Sequence, residues 1–120
     1  MLSIFISQVM SNKTENEIKE ERDAAIDRLK VLYKGTEFEI LESYFEDEWV
    51  DDNYKNKPLK FLSKSIGVMA NADLAVFIGD WKNARGCRVE HLCAQSYGIS
   101  ILNFHPHTDK EVINEDNNWY

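Results

Sequence analysis

Glu90 stands in the segment Ala84 to His91, ARGCRVEH, five residues after Arg85 and two after Arg88, beyond the apolar run Leu74 to Ile78. A carboxylate in the first turn of a helix that follows a buried strand sits at the mouth of an α/β sheet, where such folds place their chemistry. The helix macrodipole and the two arginines favour its ionised form, which suits a nucleophile rather than a general acid. Acidic residues in first turns also serve helix stability alone, so position leaves both roles open.

The neighbouring residues extend the same pattern. Asp80, at the C-terminal end of the apolar run, is placed to orient a nucleobase or to donate a proton, whereas Asp73, at the other end, is placed to cap the preceding turn. Trp81 can stack on a base or a ribose, or cover the sheet edge. Arg85 and Gly86 open the helix, where converging backbone N–H groups, the dipole and a guanidinium suit an anion, and Arg88 adds charge. Ser7, Gln8 and Met10 end or follow the first apolar run and face the same crevice. His105 and His107 lack partners at a ligand spacing, so no metal site is expected. The chain has no G-x-G-x-x-G, P-loop or G-x-S-x-G signature, and no cofactor is expected.

The elements that position these residues fit one domain of 120 residues, with 105–120 as a tail. A hydrophobic content of 43% supports a small core, and 12% aromatics argues against disorder. The net charge of -7 argues against polymeric nucleic acid as a partner but leaves room for small anions met by local arginines. Cys87 and Cys93 fall on one predicted helix, roughly 9 Å apart along its axis, too far for a disulfide. Free thiols, an opening MLSIFISQVM without the marks of a signal peptide, and no membrane-length apolar run lead us to expect a soluble cytoplasmic protein.

Leu2 to Ser7 predicts the first, central strand. Thr14 and Glu17 have capping-box spacing, and Ile18, Ala25, Leu29 and Leu32 predict a helix over about 15 to 34, stopped by Gly35. Glu37 to Leu41 predicts the second strand, and the acidic, aromatic stretch Glu42 to Lys57 a long functional loop. Pro58 opens a helix with Leu59, Leu62, Ile66 and Met69 inward. Leu74 to Ile78 predicts a strand covered on both faces. A third helix spans Gly86 to Tyr97, with Val89, Leu92, Cys93 and Ser96 inward and Gly98 as its cap, and Ile99 to Phe104 predicts the fourth strand. This alternation implies an α/β, flavodoxin-like or Rossmann-like parallel sheet of about four strands, order 2-1-3-4, with helices on both faces. The switch point then lies between the first and third strands, bounded by Ser7 to Lys13 and Gly79 to Arg88.

In order, these residues resemble the nucleoside 2-deoxyribosyltransferase-like superfamily, and within it a small uncharacterised bacterial and phage group. The similarity covers residues 2 to 102: an opening IFISQxM at Ile4 to Met10, a Lys-Thr before an acidic helix start, an acidic stretch before KPL, and a closing ADxAxF...W..ARGCRxEH......YGI. The resemblance implies cleavage of N-glycosidic bonds of nucleosides or nucleotides by a retaining route, with Glu90 attacking the anomeric carbon. It implies Asp80 at the base, Ser7 and Gln8 beside the sugar or phosphate, and Arg85 with the Gly86 backbone at an anionic 5′ group. It also implies homo-oligomers whose sites borrow residues from a neighbour, giving Trp119 and Tyr120 a role.

The chain departs from the transferase pattern D-x-G-T-x-x-E, having Ala84 six residues before Glu90, and from relatives with Pro at Val9 and Gly at Asn12. Two functions are therefore carried forward. One is an N-glycosidase or deoxyribosyltransferase-like enzyme; the other is a non-catalytic protein that sequesters a nucleotide. An oligomeric scaffold whose acidic loop contacts other proteins stands behind both.

Overall fold

A computed structural model describes residues 1–42 and 54–106, together with the backbone of 110–113. The order of elements is β1 (Leu2–Gln8), α1 (Glu15–Leu32), β2 (Phe38–Ile40), α2 (Lys57–Met69), β3 (Leu74–Ile78), a short 3-10 turn (Trp81–Asn83), α3 (Arg85–Ser96), β4 (Ser100–His105) and β5 (Lys110–Ile113). Four strands are parallel in the order β2-β1-β3-β4, as the alternation of elements predicts. The tail adds what periodicity did not reveal: β5 pairs antiparallel with β4, opposing Val112 to Asn103. The long acidic loop lies mostly, and Trp119 and Tyr120 entirely, outside the described residues.

Strand alternation divides the core between two faces. On one, Ile4, Ile6, Leu74, Val76 and Ile78 pack against Ala25 and Leu29 of α1. On the other, Phe5, Ala75, Phe77 and Ile101 pack with Met69 of α2 and Cys87 and Ala94 of α3. The fully buried Phe5 and Phe77 rings each contribute about 2–3 kcal/mol through burial.

Local chemistry sets the helix ends. Both bonds of the Thr14–Glu17 capping box are present. Gly98, at φ 74°, closes α3: its N–H reaches Gln95 O, and that of Ile99 reaches Ala94 O. An L side chain would strain this left-handed turn, which explains the glycine.

Two inward faces differ from expectation. Leu59 of α2 is exposed, leaving Met69 as the buried end of a stripe whose Leu62 and Ile66 are half-buried. In α3 the buried residues are Cys87, Glu90, His91 and Ala94, while Leu92 is exposed. Of the residues expected inward, Ser96 is exposed as well, Val89 is half-buried and Cys93 packs against the core; the fully buried stripe carries a carboxyl and an imidazole, which apolar periodicity does not reveal. Asp73 differs too: its carboxylate accepts from Ser3 N–H at 2.8 Å and ties β1 to β3 rather than capping the preceding turn. Among the described residues, no helix is long and apolar enough to cross a membrane.

Candidate functional site

Parallel pairing of β1 with β3 runs from Ile4–Leu74 to Gln8–Ile78, so both chains leave the sheet at the same edge, on either side of the switch point. There the β1–α1 loop, the start of α3 and one side of α2 border an open cavity of about 650 Å³. Both segments expected at the crevice contribute, through Ser7, Gln8 and Met10 on one side and Arg85 and Gly86 on the other. The third wall, formed by Pro58, Phe61, Leu62 and Ser65 of α2, was not anticipated. It follows the apolar spacing of that helix, whose stripe faces the cavity as well as the core.

Glu90 lines this cavity at 7% exposure. Ser7 Oγ, on the central strand, donates to Glu90 Oε1 at 2.7 Å. Because α3 begins at Arg85, Glu90 lies in the second turn, where the macrodipole has largely faded. Burial pushes its carboxyl up to about 7, opposed in part by the Ser7 hydrogen bond. This overturns the expectation of a carboxylate favoured in its ionised form by dipole and arginines: desolvation dominates, and Arg85 and Arg88 are both exposed. A carboxyl poised near neutrality in a cleft has the titration expected of a reacting group.

Cys87, one turn earlier, also lines the cavity. Burial first, and the Glu90 charge last, raise its thiol to about 11, against the lowering effect of Ser7. Both cysteines are free. At the cavity mouth, the N-cap residue Ala84 supplies no side-chain cap, and Arg88 N–H makes the first intrahelical bond, to Ala84 O. The amides of Arg85, Gly86 and Cys87 thus form a donor set beside the Arg85 side chain, suited to a small anion.

Other expected site residues fall elsewhere. Asp80 is exposed, bonded to the Asn83 amide, and absent from the cavity wall. Arg88 points to solvent on the next turn and does not line it either. Trp81, 6% exposed, lies flat on His91 with ring centroids 3.8 Å apart and planes 9° apart. Phe77 meets the same imidazole edge-on at 4.9 Å. The tryptophan is therefore a core residue here and does not line the cavity, because His91 on the inner face of α3 takes its ring. Burial first, then the Lys82 charge, lowers the His91 pKa to about 4 and keeps the imidazole neutral.

Two residues outside the expected set shape the β1–α1 wall. Lys13 Nζ donates to both carboxylate oxygens of Glu21 at 2.7 Å, and Glu21 is only 4% exposed. A glutamate on the buried stripe between Ile18 and Ala25 was the available signal. Asn12 adopts φ 63°, the left-handed conformation that glycine supplies readily and asparagine tolerates. At the other end of this wall, the Gln8 amide donates to Ile18 O at 2.5 Å. Among the described residues, no group of three or more His, Cys, Asp or Glu side chains is arranged to hold a metal ion.

Comparison with family models, curated proteins and solved structures returns no match to this chain.

Proposed function

We propose that the cavity binds a nucleoside or nucleotide and that Glu90 cleaves its N-glycosidic bond. The observation that carries this reading is the buried Ser7–Glu90 pair lining the cavity, with the carboxyl poised near neutrality. When ionised, Glu90 attacks the anomeric carbon as the bond to the base breaks. The base leaves with the bonding electrons and takes a proton from water, and a second water hydrolyses the glycosyl ester. Arg85 and the free amides at the start of α3 receive an anionic 5′ group, and Ser11 and Ser65 offer hydroxyls to the sugar. The ARGCRVEH resemblance agrees with this assignment.

The reading includes a homo-oligomer, supported by the exposed apolar residues Leu59, Leu92 and Tyr97 on and beside α2 and α3. Sedimentation velocity should give a mass above 14.0 kDa; a monomer at all concentrations would remove that part.

A second reading, sequestration without turnover, is favoured by one observation: Glu90 is the only carboxylate among the described residues lining the cavity. Glycosidases ordinarily use two. Mass spectrometry after incubation with a nucleotide panel separates the two readings. Free base that disappears in Glu90→Gln supports cleavage, whereas stoichiometric binding of unchanged nucleotide supports sequestration.

A further inference from the structure

We propose that Gln8 selects ribose over 2′-deoxyribose, its side-chain Oε1 accepting a hydrogen bond from the 2′-hydroxyl of a nucleotide in the cavity. This rests on the nucleotide reading, with Glu90 meeting the anomeric carbon.

Gln8 ends β1, lines the cavity and is 8% exposed. A side-chain amide offers donors at its nitrogen and an acceptor at its oxygen, so its orientation decides what it can read. Here Nε2 donates to Ile18 O, a carbonyl that only accepts, and a flipped amide would set two acceptors against each other. Oε1 is therefore the open end. It is buried and has no hydrogen-bond partner among the described residues. A buried acceptor left unpaired opposes folding, and in a cavity wall it marks the place of a missing donor. The Asn103 amide is unpaired too, but Asn103 is fully buried and does not line the cavity.

An acceptor at this point excludes part of the ligand. Phosphate oxygens are repelled by Oε1, whereas the donor-rich start of α3 suits them. The groups that satisfy Oε1 are sugar hydroxyls and N–H groups of the base. Position favours the sugar. Gln8 directly follows Ser7, which is bonded to Glu90, and successive Cα atoms lie only about 3.8 Å apart. Attack by Glu90 requires the base on the opposite face of C1′, so the base points away from this strand end. In a ribonucleotide the 2′-hydroxyl sits on the adjoining carbon and on the attacked face. A site built to bond a hydroxyl rejects the analogue lacking it, because its own acceptor stays unpaired.

The test is calorimetry on full-length Glu90→Gln protein, which leaves ligands intact, with ribonucleoside 5′-monophosphates and their 2′-deoxy and 2′-fluoro counterparts. The ribonucleotides should bind about tenfold more tightly than the deoxy forms. The 2′-fluoro forms, unable to donate, should bind as the deoxy forms do. Adding Gln8→Met, which keeps the length and removes the amide, should lower ribonucleotide affinity about tenfold and leave the deoxy forms within about twofold. Equal affinity for ribo and deoxy ligands, ribo-like binding of the fluoro forms, or equal losses for both sugars in Gln8→Met would overturn the proposal. The fluoro comparison leaves Gln8 in place, so it decides the matter even where Gln8→Met fails to fold. Binding of none of these compounds would remove the nucleotide reading and this proposal with it, a result distinct from binding without preference for ribose.

Discussion

Ser7 Oγ and Glu90 Oε1, 83 positions apart in the chain, meet at 2.7 Å where the central strand ends beneath the second turn of α3. This contact joins the sheet to the helix and holds the one carboxyl of the described cavity wall. Its environment opposes charge, so the protein carries a cost that an apolar contact would avoid. The predictions below follow from that arrangement.

Turnover should fall as the pH drops through about 7, because attack requires ionised Glu90 and burial holds its carboxyl at about that value. Stability should move oppositely. The folded pKa lies above the ordinary glutamate value of 4.5, so the native state holds a proton that the unfolded chain has lost, and this contribution is present below about 4.5 and disappears as pH rises to about 7. The difference is worth roughly 3 kcal/mol. Glu90→Gln, a neutral near-isostere, should therefore melt higher than wild type at pH 8 while losing turnover. A lower melting temperature for the variant at that pH would contradict the assigned burial.

Trp81 should matter for folding and not for ligand affinity. Truncation to alanine removes the stack on His91 and should cost about 3–5 kcal/mol in urea denaturation. Trp81→Phe, which retains an aromatic face, should bind nucleotide as wild type does. A large loss of affinity in that variant would return Trp81 to the ligand site.

Lys13 should support the cavity wall formed by the β1–α1 loop. Lys13→Met leaves the buried Glu21 carboxylate without its bidentate partner and should destabilise the protein by about 3 kcal/mol. Combining it with Glu21→Gln should recover much of that loss. Denaturation of the single and double variants measures the coupling, and simple additivity would show that the pair contributes nothing jointly.

Arg85 should discriminate phosphorylated from unphosphorylated ligands. Its exposed guanidinium stands at the uncapped start of α3, and replacing it with alanine should weaken binding of a nucleoside 5′-monophosphate about tenfold, the order expected for one charged hydrogen bond. The corresponding nucleoside should be little affected. Calorimetry on the two ligands checks the difference, and equal losses would place the anion elsewhere.

The parallel order β2-β1-β3-β4 was legible because each strand and helix has its own periodic signature and the connections fit a right-handed α/β pattern. The switch point followed from that order, and with it the two segments that flank the cavity. The faces of α3 were harder to read. Glu90 and His91 point inward because Ser7, Trp81 and Phe77 receive them, and those partners come from distant strands and turns. The same long-range contacts bury Trp81, for which the residues alone leave base stacking and cover of the sheet edge both open. Strand β5 lacks an apolar run, and its pairing to β4 is a tertiary matter. The role of α2 as a cavity wall could be seen only once the helix was placed.

Release of free base from a nucleoside and nucleotide panel, measured by mass spectrometry at pH 8 with wild type and Glu90→Gln side by side, tests the central claim most directly. The account predicts base and free sugar product from at least one compound with wild type, and none with Glu90→Gln despite retained binding. Intact nucleotide throughout the panel at high enzyme concentration, or equal release by the two proteins, would contradict it.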